Sequence, residues 1–294
     1  MYYRRKVLLA LLETFEGELS KIALQKLLLL FSKSQKSPTY DFVPYRFGCF
    51  SFQAGLDLRA LKTYGKIIET SKGWELKQIT AFRKELKIED VNNLNNLYRC
   101  YDGYSNEQLM KETYLHFPYY AIRSEKVAQL LSFAEQEIVN SQIPFSTKKA
   151  LFTLGYEGIS IEKYFNKLII NDIKVLCDVR RNPISQKPGF SKNILRSTCE
   201  NLGIKYVHIP ELGIPSEKRK NLNTQKDYET LFLDYESNHL SKQDLAIKYI
   251  YDLIDLNERV ALTCFEAHHL QCHRGRITNK MLSLENWEYE LIHL

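Results

Sequence analysis

Residue types that carry out enzyme chemistry are concentrated in one short segment of the 294-residue chain. This segment runs from Cys264 and Glu266 to Cys272, His273 and Arg274. Glutamate and histidine are suited to proton transfer, and a cysteine at a strand end or a helix N-terminus can react as a thiolate. We therefore take the segment as the centre of a candidate active site.

The cysteines of this segment leave three interpretations open. Cys264 falls at the end of a predicted strand and Cys272 near the start of a predicted helix, so either thiol can be a nucleophile. Together with His273 and Glu266 they can instead hold zinc, although a Cys-x7-Cys-His spacing matches no standard zinc framework. Both can also be small buried residues. We predict no metal site and no cofactor.

The apolar pattern after position 149 predicts an α/β domain built on a parallel sheet. Apolar runs at 151–154, 174–179, 206–209 and 260–265 alternate with segments that fit helices. Such alternation is typical of a three-layer fold with helices on both faces of the sheet. Ligands of these folds bind at the carboxyl ends of the strands. Polar motifs follow all four predicted strands, at 155–158, 178–181, 208–211 and 264–274.

These strand-end motifs supply two groups of candidate site residues. For proton transfer or nucleophilic attack we predict Asp178, Glu266, His273 and Cys264. Arginine clamps phosphate or carboxylate with two parallel bonds, and a helix N-terminus such as that near Arg274 attracts anions. For ligand and anion binding we therefore predict Gly155, Tyr156, Glu157, Arg180, Arg181, Cys272 and Arg274. An internal salt bridge is the alternative for Asp178 and Arg180.

The first part of the chain predicts a winged helix-turn-helix. Residues 1–78 hold 13 Lys and Arg against 7 Asp and Glu, so the basic excess of the whole chain lies there. Three helical patterns, at 2–15, 20–31 and 52–64, precede two short strands at 66–76. In a winged helix the last helix and the wing contact DNA. The predicted phosphate contacts are Arg59, Lys62, Lys66 and Lys72. Residues 79–148 fit a helical connector, and the α/β domain spans 149–294.

Two family resemblances accompany these patterns. Residues 150–282 resemble the domain of unknown function 488 family, through motifs that occur in the family's order: 153–158, 178–180, 183–185, 189–191, 211–213, 264–266 and 272–274. That resemblance implies a site but no substrate. Residues 19–27 and 44–48 resemble the antitoxin SocA/Panacea type of domain, which implies contacts with proteins as well as with DNA.

Composition narrows the functional classes. Apolar runs such as 27–31 are far too short to span a bilayer, and the six cysteines are too scattered for a disulfide framework, so we expect a cytoplasmic protein without membrane partners. The chain has no GxxxxGK[ST], GxGxxG or GxSxG motif, which disfavours triphosphate hydrolysis, dinucleotide redox chemistry and serine hydrolysis.

The predicted function is an enzyme acting on nucleic acid or nucleotides, by hydrolysis or by base or sugar transfer, in DNA repair or anti-phage defence. Its predicted partner is DNA or a nucleotide-like ligand. The alternative is a non-enzymatic ligand sensor, a transcriptional regulator or a toxin–antitoxin-type interaction protein; a thiol or sulfur-transfer enzyme is a third option. A protein partner of the winged helix and a homodimer also stay open.

Overall fold

The computed structural model describes residues 1–78, 80–219 and 224–294. Its contacts divide the chain into two compact units, residues 1–143 and 144–294. The segment predicted as a connector therefore groups, as far as residue 143, with the N-terminal unit. Within the described residues, no helix has the length and apolar character needed to cross a membrane.

The first unit packs helices around a leucine-rich core beside two small antiparallel sheets. Serine side chains cap two of these helices: Ser20 accepts from the Ala23 N–H at 3.0 Å, and Ser51 from that of Ala54 at 3.2 Å. The elements are α1 (Tyr3–Thr14), β1 (Glu18–Ser20), α2 (Lys21–Ser34), β2 (Val43–Tyr45), β3 (Gly48–Phe50), α3 (Phe52–Thr63), β4 (Ile67–Glu69), β5 (Gly73–Leu76), α4 (Ile88–Tyr101), α5 (Asn106–His116), α6 (Val127–Leu130) and α7 (Phe133–Asn140). One sheet has the order β1-β5-β4, and β2 pairs with β3.

The second unit contains the predicted parallel sheet. The elements are β6 (Ala150–Gly155), α8 (Ile161–Ile170), β7 (Val175–Asp178), α9 (Lys192–Asn201), β8 (Lys205–His208), α10 (Gln225–Asp234), α11 (Asp244–Asn257), β9 (Arg259–Cys264), α12 (His273–Leu282) and β10 (Glu290–His293). In the described residues the sheet has five strands in the order β10-β6-β9-β7-β8, and every neighbouring pair is parallel. The edge strand β10 is the one that the sequence pattern did not predict.

Helices cover both faces of this sheet. Alternate strand residues point to opposite faces. On one face, Val260 and Leu262 of β9 share a core with Ile250 of α11 and Ile277 of α12. On the other face, Thr263 of β9 accepts a 2.7 Å hydrogen bond from the hydroxyl of Tyr164 on α8. The sheet is therefore buried between layers, which leaves the carboxyl ends of its strands as the edge open to ligands.

Candidate active site

A cavity of about 310 Å³ lies at the carboxyl ends of β6, β7 and β9, and we call it the strand-end cavity. Its size is at the lower end of the range for small-molecule sites. Residues from all three strand-end loops line it, including Tyr156, Arg180, Arg181, Lys187, Cys264 and Phe265. The motifs after β6, β7 and β9 thus meet in one place, as the parallel sheet predicts.

Asp178 and Arg180 form a closed, buried pair at this cavity, and Arg180 is the member of the pair that lines it. The Arg180 Nε and Nη2 groups donate to the two Asp178 carboxylate oxygens at 2.8 and 2.5 Å. The Tyr206 hydroxyl donates to Asp178 Oδ2 at 2.7 Å, and Arg180 Nη1 donates to the Phe190 carbonyl at 2.9 Å. With most of their bonding capacity satisfied internally, both residues serve to join β7 to its surroundings. The arrangement corresponds to the salt-bridge alternative of the sequence analysis.

Tyr156 forms a wall of the cavity rather than a mobile cover. Its ring stacks on that of Phe190, with centroids 4.2 Å apart and planes 9° apart, and only 2% of the residue is exposed. Its hydroxyl accepts from Arg180 Nη1 at 2.7 Å. Phe265 meets the same ring edge-on at 5.3 Å. These contacts fix the ring in one orientation, which suits a preformed pocket.

Arg181 and Lys187 supply the positive charge of the strand-end cavity. Arg181 is exposed and donates to the Pro210 carbonyl at 3.3 Å. Lys187 donates to the Tyr156 carbonyl at 2.5 Å, and burial lowers the pKa of its ammonium group. Within the part of the chain that the structure describes, no carboxylate lines this cavity. An anionic ligand is therefore favoured over a neutral or cationic one.

Cys264, Glu266, Cys272 and His273 come together beside the cavity, and we call them the Cys/His cluster. One potential ligand atom of each lies within 4.8 Å of the others. Cys264 Sγ is 3.2 Å from Glu266 Oε2 and 3.5 Å from His273 Nδ1, and Cys272 Sγ is 3.8 Å from the same nitrogen. Cys264 also lines the strand-end cavity. The fold thus brings together four side chains that could ligate a metal ion, from the end of β9, the loop after it and the start of α12. We refer to their ligand atoms as the donor set.

The orientation of the His273 ring is fixed by the main chain. Its Nε2 lies 3.0 Å from the Val179 carbonyl oxygen. A carbonyl oxygen can only accept, so Nε2 carries the proton and, in the neutral ring, Nδ1 presents its lone pair to the two sulfurs. His273 is therefore placed to accept a proton from a thiol or to ligate a metal ion.

Burial controls the electrostatics of the Cys/His cluster. It raises the pKa of the Glu266 carboxyl, and the neighbouring Cys264 adds to this rise. It also raises the pKa of the Cys272 thiol well above its usual value, with Cys264 and Glu266 again contributing. A free Cys272 is thus held as a thiol, which disfavours it as the nucleophile and leaves Cys264, on the cavity wall, as the better candidate.

Arg274 and Gly155 hold the loop that carries Glu266. The guanidinium of Arg274 is 1% exposed and donates to the carbonyls of Glu266 at 2.5 Å and Ala267 at 2.7 Å. A Cβ atom on Gly155 would lie only 1.9 Å from the Glu266 carbonyl oxygen, so glycine is required for this close approach. Arg274, predicted to bind an anion, thus has its terminal amino groups engaged with the loop.

The loop that follows β6 also bonds to the loop that carries Glu266. The N–H groups of Tyr156 and Glu157 both donate to the Phe265 carbonyl, at 3.1 and 2.9 Å. The Glu157 carboxylate accepts from the Ala267 N–H at 3.0 Å. Glu157 and Glu266 also line a second cavity of about 340 Å³, on which Phe265 borders as well. Glu157 thus lines this second cavity and not the strand-end cavity.

The predicted nucleic-acid contacts all lie in the first unit and are exposed. Arg59 and Lys62 are on α3, Lys66 precedes β4, and Lys72 is in the turn between β4 and β5. Lys62 donates to Glu69 at 2.9 Å. Among the described residues, the side chains of Arg59, Lys66 and Lys72 have no ion-pair partner.

The predicted site residues do not include Tyr206, whose hydroxyl donates to Asp178, or Lys187, which lines the strand-end cavity. Alternation along β8 offers a signal for Tyr206. Parallel pairing sets Leu176 opposite Tyr206 and Asp178 opposite His208, so a tyrosine two residues before the strand end is within reach of the carboxylate.

The fold and the site together define an α/β protein with a ligand edge at the carboxyl ends of a parallel sheet. Residues 160–281 match the family model described as Domain of unknown function DUF488, which confirms the resemblance for this segment. The match includes Asp178, Arg180 and the whole Cys/His cluster. The chain matches no curated protein and no solved structure. The resemblance of the first unit to SocA/Panacea domains stays a prediction.

Proposed function

We propose that the second unit is an enzyme that binds a nucleotide-like or nucleic-acid anion in the strand-end cavity and carries out hydrolysis or group transfer at its Cys264 wall. The observation that carries this proposal is the composition of the cavity: it is lined by Arg181 and Lys187, by no carboxylate among the described residues, and by the sulfur-bearing Cys264. Cationic side chains bind phosphate, and the exposed Phe265, which lines the same cavity and is held by the rigid Tyr156, offers an apolar surface to a base or sugar.

The reacting groups of this proposal are those of the Cys/His cluster. His273 Nδ1 faces Cys264 Sγ at 3.5 Å, a distance from which a small movement makes a proton-transfer hydrogen bond. Asp178, Arg180 and Arg274 take the role of positioning residues, since the carboxylate oxygens of Asp178 and the terminal nitrogens of both arginines bond to the protein itself. Anion binding falls instead to Arg181 and Lys187.

We also propose that the first unit is a winged helix that contacts nucleic acid. The order α1-β1-α2-α3-β4-β5, with the β2–β3 hairpin inserted between α2 and α3 and with a three-stranded antiparallel β1-β5-β4 sheet, supports this assignment. Arg59 on α3 and Lys72 in the β4–β5 turn occupy the positions from which a recognition helix and a wing reach phosphates. The unit would then bring the enzyme to its substrate.

The test measures binding and turnover separately, with the full-length protein. Calorimetric titration with nucleoside monophosphates and short oligonucleotides should show binding that R181A/K187A weakens at least about tenfold, because two phosphate-binding charges are lost. The matched control is K248A, which removes an exposed lysine from α11. Mass spectrometry of the incubated ligands should then reveal a product that C264S does not form.

The two outcomes of this test separate the enzyme from the non-enzymatic sensor. Cys264 is only 1% exposed, and this burial of the thiol is the observation that favours the sensor. Binding that depends on Arg181 and Lys187, without any product, would support the sensor. Failure to bind any of these anions at low salt would refute both.

A further inference from the structure

We propose that Cys264, Glu266, Cys272 and His273 form a binding site for a zinc-type, thiophilic divalent cation. The inference stands apart from the ligand proposed for the strand-end cavity, because metal content is measured without any substrate. A bound ion would take Cys264 Sγ and His273 Nδ1 as ligands, so the proton-transfer pair of the proposed function belongs to the metal-free protein. It concerns the donor set that the fold assembles from the end of β9 and the start of α12. Two sulfurs, an imidazole nitrogen and a carboxylate are ligands that zinc takes in proteins.

The spacing of the donor atoms fits a tetrahedral ion. Zinc–sulfur and zinc–nitrogen bonds of about 2.3 and 2.0 Å place the ligand atoms of a tetrahedral site about 3.5–3.8 Å apart. Three of the six separations in the Cys/His cluster are 3.2 Å for Cys264 to Glu266, 3.5 Å for Cys264 to His273 and 3.8 Å for Cys272 to His273, and all six are within 4.8 Å. Small side-chain adjustments would therefore complete the coordination.

The surroundings of the cluster prepare it for a metal. Ligating histidines commonly donate their second N–H to a main-chain carbonyl, which fixes the ring and frees the other nitrogen. His273 does this through its Nε2 and the Val179 carbonyl, at 3.0 Å. Arg274 anchors the loop of Glu266 through two carbonyls, and Gly155 lets that loop lie against β6. These contacts preorganise the ligands for metal binding.

Charge and burial favour the same conclusion. Two thiolates and a carboxylate bring three negative charges, of which a divalent ion neutralises two, and the adjacent Arg274 guanidinium offsets the third. Cys264, Cys272 and His273 are each about 1% exposed, so the ion would be screened from solvent on three sides. Glu266, the partly exposed member, is the ligand that solvent or substrate can replace.

Metal analysis of the full-length protein tests the inference. Protein purified under reducing conditions, supplied with zinc and freed of excess by gel filtration should retain one zinc per chain. C272S and H273N should retain about a tenth or less, because each removes a ligand without altering the wall of the strand-end cavity. C199S, which replaces another buried cysteine of the same unit, should retain one zinc per chain.

Cobalt substitution keeps the test independent of variants that fail to fold. In the wild-type protein, Co²⁺ should produce the intense thiolate-to-metal absorption of a tetrahedral sulfur site, and zinc should remove it. Absence of both bound zinc and this absorption in the wild type overturns the inference, and so does zinc that C272S and H273N retain. Zinc binding together with failure to bind nucleotides would refute the proposed function alone.

Discussion

Arg180 donates hydrogen bonds to both carboxylate oxygens of Asp178, at 2.8 and 2.5 Å, in a pair that is almost entirely buried. Removing one partner of such a pair leaves an uncompensated charge inside the protein. We therefore expect D178N to lower the free energy of unfolding by about 3–5 kcal/mol. Urea denaturation followed by circular dichroism measures this effect.

An exposed ion pair of the same unit provides the control for D178N. Asp255 bonds to Lys149, and both side chains are more than a third exposed, so D255N should change the urea midpoint far less. A D178N variant with wild-type stability and no activity would contradict the positioning role and return Asp178 to the reacting groups.

The close approach of Gly155 to the Glu266 carbonyl leads to a second prediction, on the stability of G155A. In G155A the new methyl group would lie 1.9 Å from the Glu266 carbonyl oxygen, so the loop that carries Glu266 must move. We expect a lower melting temperature and, if the cluster binds metal, weaker retention of zinc. G55A is the matched control: nothing lies within 4 Å of its added methyl group, and alanine favours helix α3 by about 0.5–1 kcal/mol. An unchanged melting temperature for G155A would show that the loop is free to move.

A buried carboxylate makes the stability of the first unit depend on pH. Burial by itself would raise the pKa of Asp57, but hydrogen bonds from Arg4 and Arg5 outweigh it and hold this pKa below its usual value. The stabilisation is present above the unfolded-state pKa of about 3.9 and is lost as the pH falls through the lower, folded-state pKa.

Denaturation at a series of pH values checks this dependence. D57N should lower the stability of the first unit at neutral pH and make its decline below about pH 4 shallower. E18Q, which removes an exposed carboxylate on β1, is the control and should follow the wild-type curve. Parallel curves for D57N and the wild type would contradict the assignment.

The fold could be predicted from the sequence where the same pattern of apolar residues continues over several positions. Apolar runs predicted β6, β7, β8 and β9, and the parallel sheet is confirmed. The fifth strand was missed because Glu290–His293 is a short edge strand whose residues are all at least partly exposed, so it lacks a continuous apolar run.

Pairings at the site were less predictable, because they depend on side chains that meet only after folding. Spacing alone could not decide whether Asp178 bonds to Arg180 or to a ligand. It also could not bring Cys264 close to Cys272, since their approach requires the intervening loop to turn back against Gly155 and Arg274.

The last prediction concerns the exposed Lys and Arg side chains of the first unit. It tests the proposed winged helix through the salt dependence of DNA binding. Each phosphate contact releases counterions when DNA binds. Loss of one contact therefore makes the slope of log K against log salt concentration shallower by about 0.9. R59A, K66A and K72A should each have this effect on duplex DNA binding. K62A should have a smaller one, because Lys62 already bonds to Glu69 at 2.9 Å. Fluorescence anisotropy over a range of salt concentrations measures these slopes, with K84A, an exposed lysine outside the set, as the control. Slopes that respond to K84A but not to R59A, K66A or K72A would remove this surface from DNA binding and favour a protein partner for it.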